Sequence, residues 1–295
     1  MDPIRVVVRR GGVVEAVHDV HAVAVQDGEV IAEAGDPMHV TLLRSSAKPF
    51  QALPLVRARD DLDEQDLAIA SASHLASPAQ LDAVRSLLTK APADENELEC
   101  GREPTRIEHN CSGKHAGMLA LCRAKGWASG GYRLLTHPVQ HGCRAEIAAA
   151  ADAAEEELVV AIDGCGVPTF ALPLERMALM FSRLESVDGG ARVAAAMRAH
   201  PELIRGPRAA DTLLMQELEG FTAKGGAEGL MCAAGPNGLG LALKVEDGNT
   251  RAVRAALAEL LARLGFETGE LGVVPIESSL GELVGEIVSE RSTTR

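Results

Sequence analysis

A chain of 295 residues, 46% of them apolar, has material for one large domain or two intimate lobes. A formal charge of -13 and few aromatics, 1 Trp, 1 Tyr and 5 Phe, argue against a nucleic-acid surface, which needs basic side chains and stacking platforms; small ligands fit better. The apolar run within Met1–Arg10 is too short for a secretory signal, and no segment sustains the ~20 apolar residues of a membrane span, so no membrane partner and a cytoplasmic location are expected, with the 6 scattered cysteines reduced.

Short apolar runs at Ile4–Val8, His21–Val25, Glu29–Ala32 and His39–Leu43, broken by Gly11-Gly12, Asp27-Gly28 and Gly35-Asp36-Pro37, predict an antiparallel meander. Periodic segments then predict helices over Ala47–Val56, Pro78–Leu88, Lys114–Lys125, Val139–Ala154, Leu174–Leu184 and Ala191–His200, with a strand-like Leu158–Ile162 among them. Strands return at Gly229–Ala233 and Gly238–Val245, and an amphipathic helix at Asn249–Leu264 follows. The expectation is an α/β (α+β) fold, one domain over 1–295. Its antiparallel sheet is built from both terminal regions, about 1–45 and 220–295, around a central helical region of about 46–219.

Arg44-Ser45-Ser46-Ala47-Lys48-Pro49 carries most of the chemistry. Residues three apart share a helix face, so the Ser45 hydroxyl and the Lys48 amine can meet at a first turn where Pro49 is at home. Serine is a weak nucleophile until a base draws off its proton, and a desolvated lysine can be that base. Unaided, the motif reads as readily as a capping serine beside a solvated lysine. Ser71-Ala72-Ser73-His74 closes an apolar segment where a hydroxyl could reach a cleft, and reads equally as a turn. In Asn110-Cys111-Ser112-Gly113-Lys114-His115, Cys111 and His115 stand four apart, and Asp163-Gly164-Cys165 puts another thiol at a strand end. Two thiolates, a nitrogen and water suit zinc, although unpaired cysteines commonly only pack. Lys224-Gly225-Gly226-Ala227-Glu228-Gly229 has the layout of the lysine-bearing strand of penicillin-recognising enzymes, with glycine at the middle position.

Taken in order, these blocks, with Lys244-Val245-Glu246-Asp247-Gly248-Asn249, resemble the Rhizobium etli-type L-asparaginases, the asparaginase II or thermolabile family. Asn110-Cys111-Ser112-Gly113-Lys114-His115 is the specific part. The resemblance implies a serine β-lactamase/glutaminase-like fold, a homodimer and L-asparagine as substrate. It also implies two Ser-Lys tandems, Ser45 with Lys48 and Ser73 with Lys224. A Zn2+ site would fall on Cys111, Lys114 and Cys165, and His115, Arg44 and Asp163 on the substrate. Leu75-Ala76-Ser77-Pro78 departs from the family, which continues there with small polar residues and a glutamate. The expected reaction is hydrolysis of the side-chain amide to aspartate and ammonia through a serine acyl-enzyme. Two rivals stand beside it. One is a metal hydrolase with a water on Cys111, His115 and Cys165, in which Ser45 only caps a helix. The other is a non-catalytic amino-acid-binding protein on the same scaffold.

Overall fold

The structure, a computed structural model, describes residues 1–290; positions 291–295 of the expected domain lie outside the described residues. Strands β1 (Ile4–Arg10), β2 (Val13–Gln26) and β3 (Glu29–Ala34) form a meander. Its hairpins turn at Gly11-Gly12 and Asp27-Gly28, where all four residues hold positive φ, the backbone that two-residue hairpins demand. β4 (Val40–Leu42) leaves this sheet. It pairs with β6 (Pro168–Pro173), which also pairs with β5 (Val159–Ile162), making a separate three-stranded sheet inside the helical region. The expected four-strand meander therefore stops at three.

The expected helix Ala47–Val56 is instead a 3-10 turn, Arg44–Ala47, followed by two short helices, α1 (Lys48–Gln51) and α2 (Leu53–Ala58). Pro49 and Pro54 each sit in a first turn, where the missing N–H costs nothing. Next come α3 (Glu64–Ala70), α4 (Pro78–Lys90), α5 (Ser112–Lys125) and α6 (Pro138–Ala151). Ser77 and Gln80 close a capping box on α4, so the Leu75–Pro78 departure serves as a helix start. α6 stops short of Ala154 because Asp152 turns left-handed at φ 53°. After β5 and β6 follow α7 (Leu174–Ser182), α8 (Gly190–Ala199), α9 (Pro201–Ile204) and α10 (Ala210–Glu217).

The chain then rejoins the first sheet through β7 (Thr222–Gly225), β8 (Leu230–Gly235) and β9 (Leu239–Val245). α11 (Val253–Arg263) leads to β10 (Val273–Glu277) and β11 (Leu283–Ser289), two strands that the sequence reading did not resolve. The sheet runs β10-β11-β1-β2-β9-β8-β7, antiparallel throughout, with β3 also on β2; it is built from both terminal regions, as expected. β7 is its free edge, and that edge faces the serine turn: Ser46 Oγ donates to the Lys224 carbonyl at 2.8 Å. No helix of the described residues is long and apolar enough to cross a membrane.

β9 is buried along its whole length, with α7 and α11 both packed against it. The closest approach is at Gly240, where an added Cβ would lie 1.9 Å from the Ala178 carbonyl of α7. Only glycine lets this helix and strand meet. Gly240→Ala should cost about 1–3 kcal/mol of stability through forced separation of strand and helix; thermal denaturation against the parent chain measures it, and an unchanged midpoint would contradict the close packing.

Candidate active site

Three segments bring the sequence-marked groups together. Arg44 starts the serine turn in a left-handed conformation, φ 47°, held by two bonds: its N–H donates to Thr169 Oγ1 at 2.9 Å and its Nε to Asp163 Oδ1 at 2.7 Å. The two residues expected at the substrate thus pair with each other. Ser45, next in the chain, is half-buried; Ser46, Ala47 and Lys48 are buried.

Lys48 lies at 0% exposure. Its amine donates to Ser73 Oγ at 3.0 Å and to the Ala72 carbonyl. The buried end of α3 supplies both acceptors, so in the structure Lys48 bonds the serine assigned to the other tandem. Burial pulls its pKa down, and the Lys114 charge adds to this against the opposing pull of Cys111. Ser73 is fixed by its own N–H donating to the Ile204 carbonyl at 2.7 Å. Next to it, His74 accepts from the Ala76 N–H at Nδ1, leaving Nε2–H for Ser112 Oγ at 2.7 Å, which donates to the Ile107 carbonyl. Burial, helped by Lys48, brings the His74 pKa down to about 4, so this ring stays neutral.

Lys224, on the edge strand, is also at 0% exposure. Its amine donates to the Gly225 carbonyl at 2.7 Å and stands 3.8 Å from Asp211 Oδ2. Burial brings its pKa down to about 7; Asp211 resists this, while Lys48 and Arg205 add to it. A cavity of about 730 Å³ opens on the Asp211 side of this strand, walled in part by Arg205, Arg208, Asp211, Gly225 and Gly226.

Cys111, Lys114 and Cys165 form a dry cluster beneath, with Lys114 Nζ 3.1 Å from Cys165 Sγ. The Cys165 thiol's hydrogen bond, aided by the Lys48 and Lys114 charges, holds Cys111 well below the ordinary thiol range against its burial. The bond to Cys111 and burial push Cys165 up. Burial works to lower Lys114, but the Cys165 and Cys111 sulfurs outweigh it and raise its pKa. The two thiols are thus driven in opposite directions, Cys111 toward losing its proton and Cys165 toward keeping it, while Lys114 is driven to stay charged. Among the described residues no three His, Cys, Asp or Glu side chains are grouped to hold a metal, Cys111, His115 and Cys165 included.

His115 is fully buried. The Glu99 N–H donates to Tyr132 Oη, whose hydroxyl then serves His115 Nδ1, both at 2.8 Å, and Nε2 has no partner among the described residues. Burial, with the Lys114 charge, holds its pKa well down, so the ring is neutral with an unused Nε2–H. Thr169, Tyr132 and Asp211 all went unmarked in the sequence reading. Asp211 alone left a trace, as an acid in the otherwise apolar run Ala209-Ala210-Asp211-Thr212-Leu213-Leu214.

One buried lysine amine bonds a serine hydroxyl and a second lies buried on the edge strand of an antiparallel sheet, an arrangement of groups compatible with serine acyl transfer. The family profile described as L-asparaginase II matches residues 6–288, and the chain belongs to that family. No curated protein matches the chain. Two solved structures that resemble it are described as "Crystal Structure Analysis of Mglu in its native form" and "in its glutamate form". They are 14% and 15% identical, with TM-scores of 0.40 and 0.38; the matches cover 85% and 88% of this chain and 66% and 65% of theirs. This chain thus spans just under two thirds of their length.

The Arg44–Asp163 bond is what holds the serine turn to the β5–β6 loop, with the carboxylate side chain only 9% exposed. A double-mutant cycle of Arg44→Ala and Asp163→Ala in denaturant should give a coupling of about 1–3 kcal/mol, the range for a charge-assisted bond of this burial. A coupling near zero would detach the pair from the turn's conformation.

Proposed function

We propose that this protein is an L-asparaginase that hydrolyses the side-chain amide of L-asparagine to aspartate and ammonia through a Ser45 acyl-enzyme. Family membership supports the substrate and the reaction. One observation carries the mechanism: the Lys48 amine spends two N–H bonds on Ala72 O and Ser73 Oγ. A neutral amine has two hydrogens and one lone pair, so the lone pair alone remains. Ser45 stands one 3-10 turn away, half-open to solvent, as the group whose proton it takes.

Attack by Ser45 Oγ on the amide carbon passes its proton to Lys48. The leaving nitrogen then takes a proton from Ser73, which is refilled from Lys48, with Lys224 as the second amine of that relay; ammonia departs and Ser45 holds the acyl group. Water then attacks the ester, giving its proton to Lys48, and Ser45 is released as the alcohol. The Arg44 and Ser46 amides are taken by Thr169 and the Leu43 carbonyl, which leaves the Ser45 amide for the oxyanion. The unused Nε2–H of His115 and the Arg44–Asp163 pair are the groups for the amino acid's own polar ends.

Cys111, Lys114 and Cys165 suit Zn2+ by donor type, since two sulfurs and an amine converge in a buried cluster and already share protons that a metal would replace. Bound there, zinc would supply a fixed positive charge that orients substrate; the nucleophile remains Ser45. The same reading places the enzyme in the cytoplasm as a homodimer, the first supported by six unpaired cysteines.

Ser45→Ala should lose ammonia release from asparagine by a factor of about 10³ or more while melting as the parent does; substantial residual turnover would move the nucleophile elsewhere. Because Lys48 works neutral and its pKa is lowered, kcat/KM should rise with pH through a midpoint below the ordinary lysine value. A flat profile, or one falling over that range, contradicts the assignment of the base. Metal analysis of protein prepared without chelator should find about one zinc per chain, lost in Cys165→Ser; equal zinc in both would remove Cys165 from the site.

A further inference from the structure

Lys224 is a buried amine with one carboxylate beside it, and that carboxylate belongs to no sequence motif. Asp211 sits in the first turn of α10 at 1% exposure. Its Oδ2 accepts from the Gly225 N–H at 3.1 Å and stands 3.8 Å from Lys224 Nζ; its Oδ1 accepts from the Thr212 N–H at 3.1 Å. One carboxylate therefore touches both the backbone and the side chain of the edge strand at its catalytic end. A buried carboxylate is costly unless it is well bonded, and here Oδ1 takes the Thr212 N–H while Oδ2 takes the Gly225 N–H and faces the Lys224 amine.

We infer that Asp211 is a positioning residue of this site: by bridging the Gly225 amide and the Lys224 amine, it fixes the edge strand and governs whether Lys224 carries a proton. The inference rests on the reading of Lys224 as a working group of the asparaginase site, and extends it to a residue that touches neither substrate nor nucleophile.

The charges facing Lys224 come from four elements. Asp211 on α10 favours the ammonium, as does Cys111 before α5. Lys48 on α1 and Arg205 after α9 oppose it, as does burial itself. Against two cations and full desolvation, Asp211 is the largest influence keeping a proton on the amine. The balance falls near neutrality, at about 7, where a relay can both take and give a proton. Asparagine at position 211 keeps one acceptor, for the Gly225 amide, removes the charge and gives up the bond from the Thr212 N–H. The amine should then lose its proton at lower pH, because the group that most favoured the charged form is gone while both neighbouring cations remain.

The test uses the full-length chain carrying lysine labelled with carbon-13 at Cε, with the Lys224 resonance assigned by its disappearance in Lys224→Met. The parent midpoint should lie near 7, and Asp211→Asn should move it down by about 1–3 units. Asp211→Glu should bring it back toward the parent. Asp211→Ser, another neutral acceptor, repeats the experiment should the asparagine variant not fold. A midpoint within a few tenths of a unit of the parent in a folded neutral variant overturns the inference. The pH profile of kcat/KM, recorded on the same proteins, separates this from the parent reading. A limb that moves with the amine supports both. A midpoint that moves while the rate profile stays still, with Lys224→Met active, leaves Asp211 in control of the amine and removes Lys224 from catalysis.

Discussion

Keeping two lysine amines out of water is the constraint on which the site depends. Lys48 and Lys224 are both at 0% exposure, and an ammonium there would forfeit its hydration. The fold answers by supplying each amine with a backbone carbonyl, Ala72 for Lys48 and Gly225 for Lys224, while burial disfavours the charged form. Each amine also lowers the charge its neighbours can bear: Lys48 acts on Lys224 and on His74, and Lys114 on Lys48 and His115. The Cys111 thiolate offsets part of this positive crowding, which ties the sulfur cluster to the proton chemistry even before any metal is considered.

The scaffold around the amines is made of close backbone approaches. Gly113, at the start of α5, has the Ile69 carbonyl 2.2 Å from where a Cβ would stand, and Gly226 has the Leu43 carbonyl at 3.1 Å. The first presses the sulfur-bearing helix onto α3, whose end delivers Ser73. The second presses the edge strand onto the serine turn, where Ser46 already binds the Lys224 carbonyl. Ser45, Ser73 and Lys224 thus come from three separate elements, and their arrangement follows from contacts made by their neighbours in sequence.

Much of the site was legible because its chemistry is concentrated in short blocks: Ser45 with Lys48, Ser73-His74, Cys111 through His115, and Lys224. Their partnerships were not. Spacing pairs Lys48 with Ser45 and gives no sign of its hydrogen bond to Ser73, since an amine on a four-carbon stem reaches buried acceptors irrespective of sequence distance. Thr169 was invisible, and Asp211 showed only as an acid among apolar neighbours, because each acts through a contact made only in the fold, at 2.9 Å to Arg44 N and 3.1 Å to Gly225 N. For the fold, helices with clean caps were placed within a few residues, as at Pro78 and Lys125. β4 was misassigned to the first sheet, because a strand's own residues do not say which edge it will join; here β6 offered the edge. β10 and β11 escaped because their alternation is weak and their outward side chains, Val273 and Leu283 among them, are apolar too.

The pairing of β1 with β11 and of β2 with β9 has a consequence for how the molecule is made. β1 and β2 have hydrogen-bonding edges that are filled by β11 and β9, strands far away in the chain. Until β11 pairs, β1 offers an open edge along Val6–Arg10, and until β9 pairs with β2 the strand bearing Lys224 is not joined to the first strands. Such long-range closure is slow and leaves apolar strands waiting, a state open to wrong pairing between nascent chains. The placement of Lys224 against the serine turn therefore waits on long-range strand pairing, and folding yield in a cell will depend on how well that interval is guarded by chaperones.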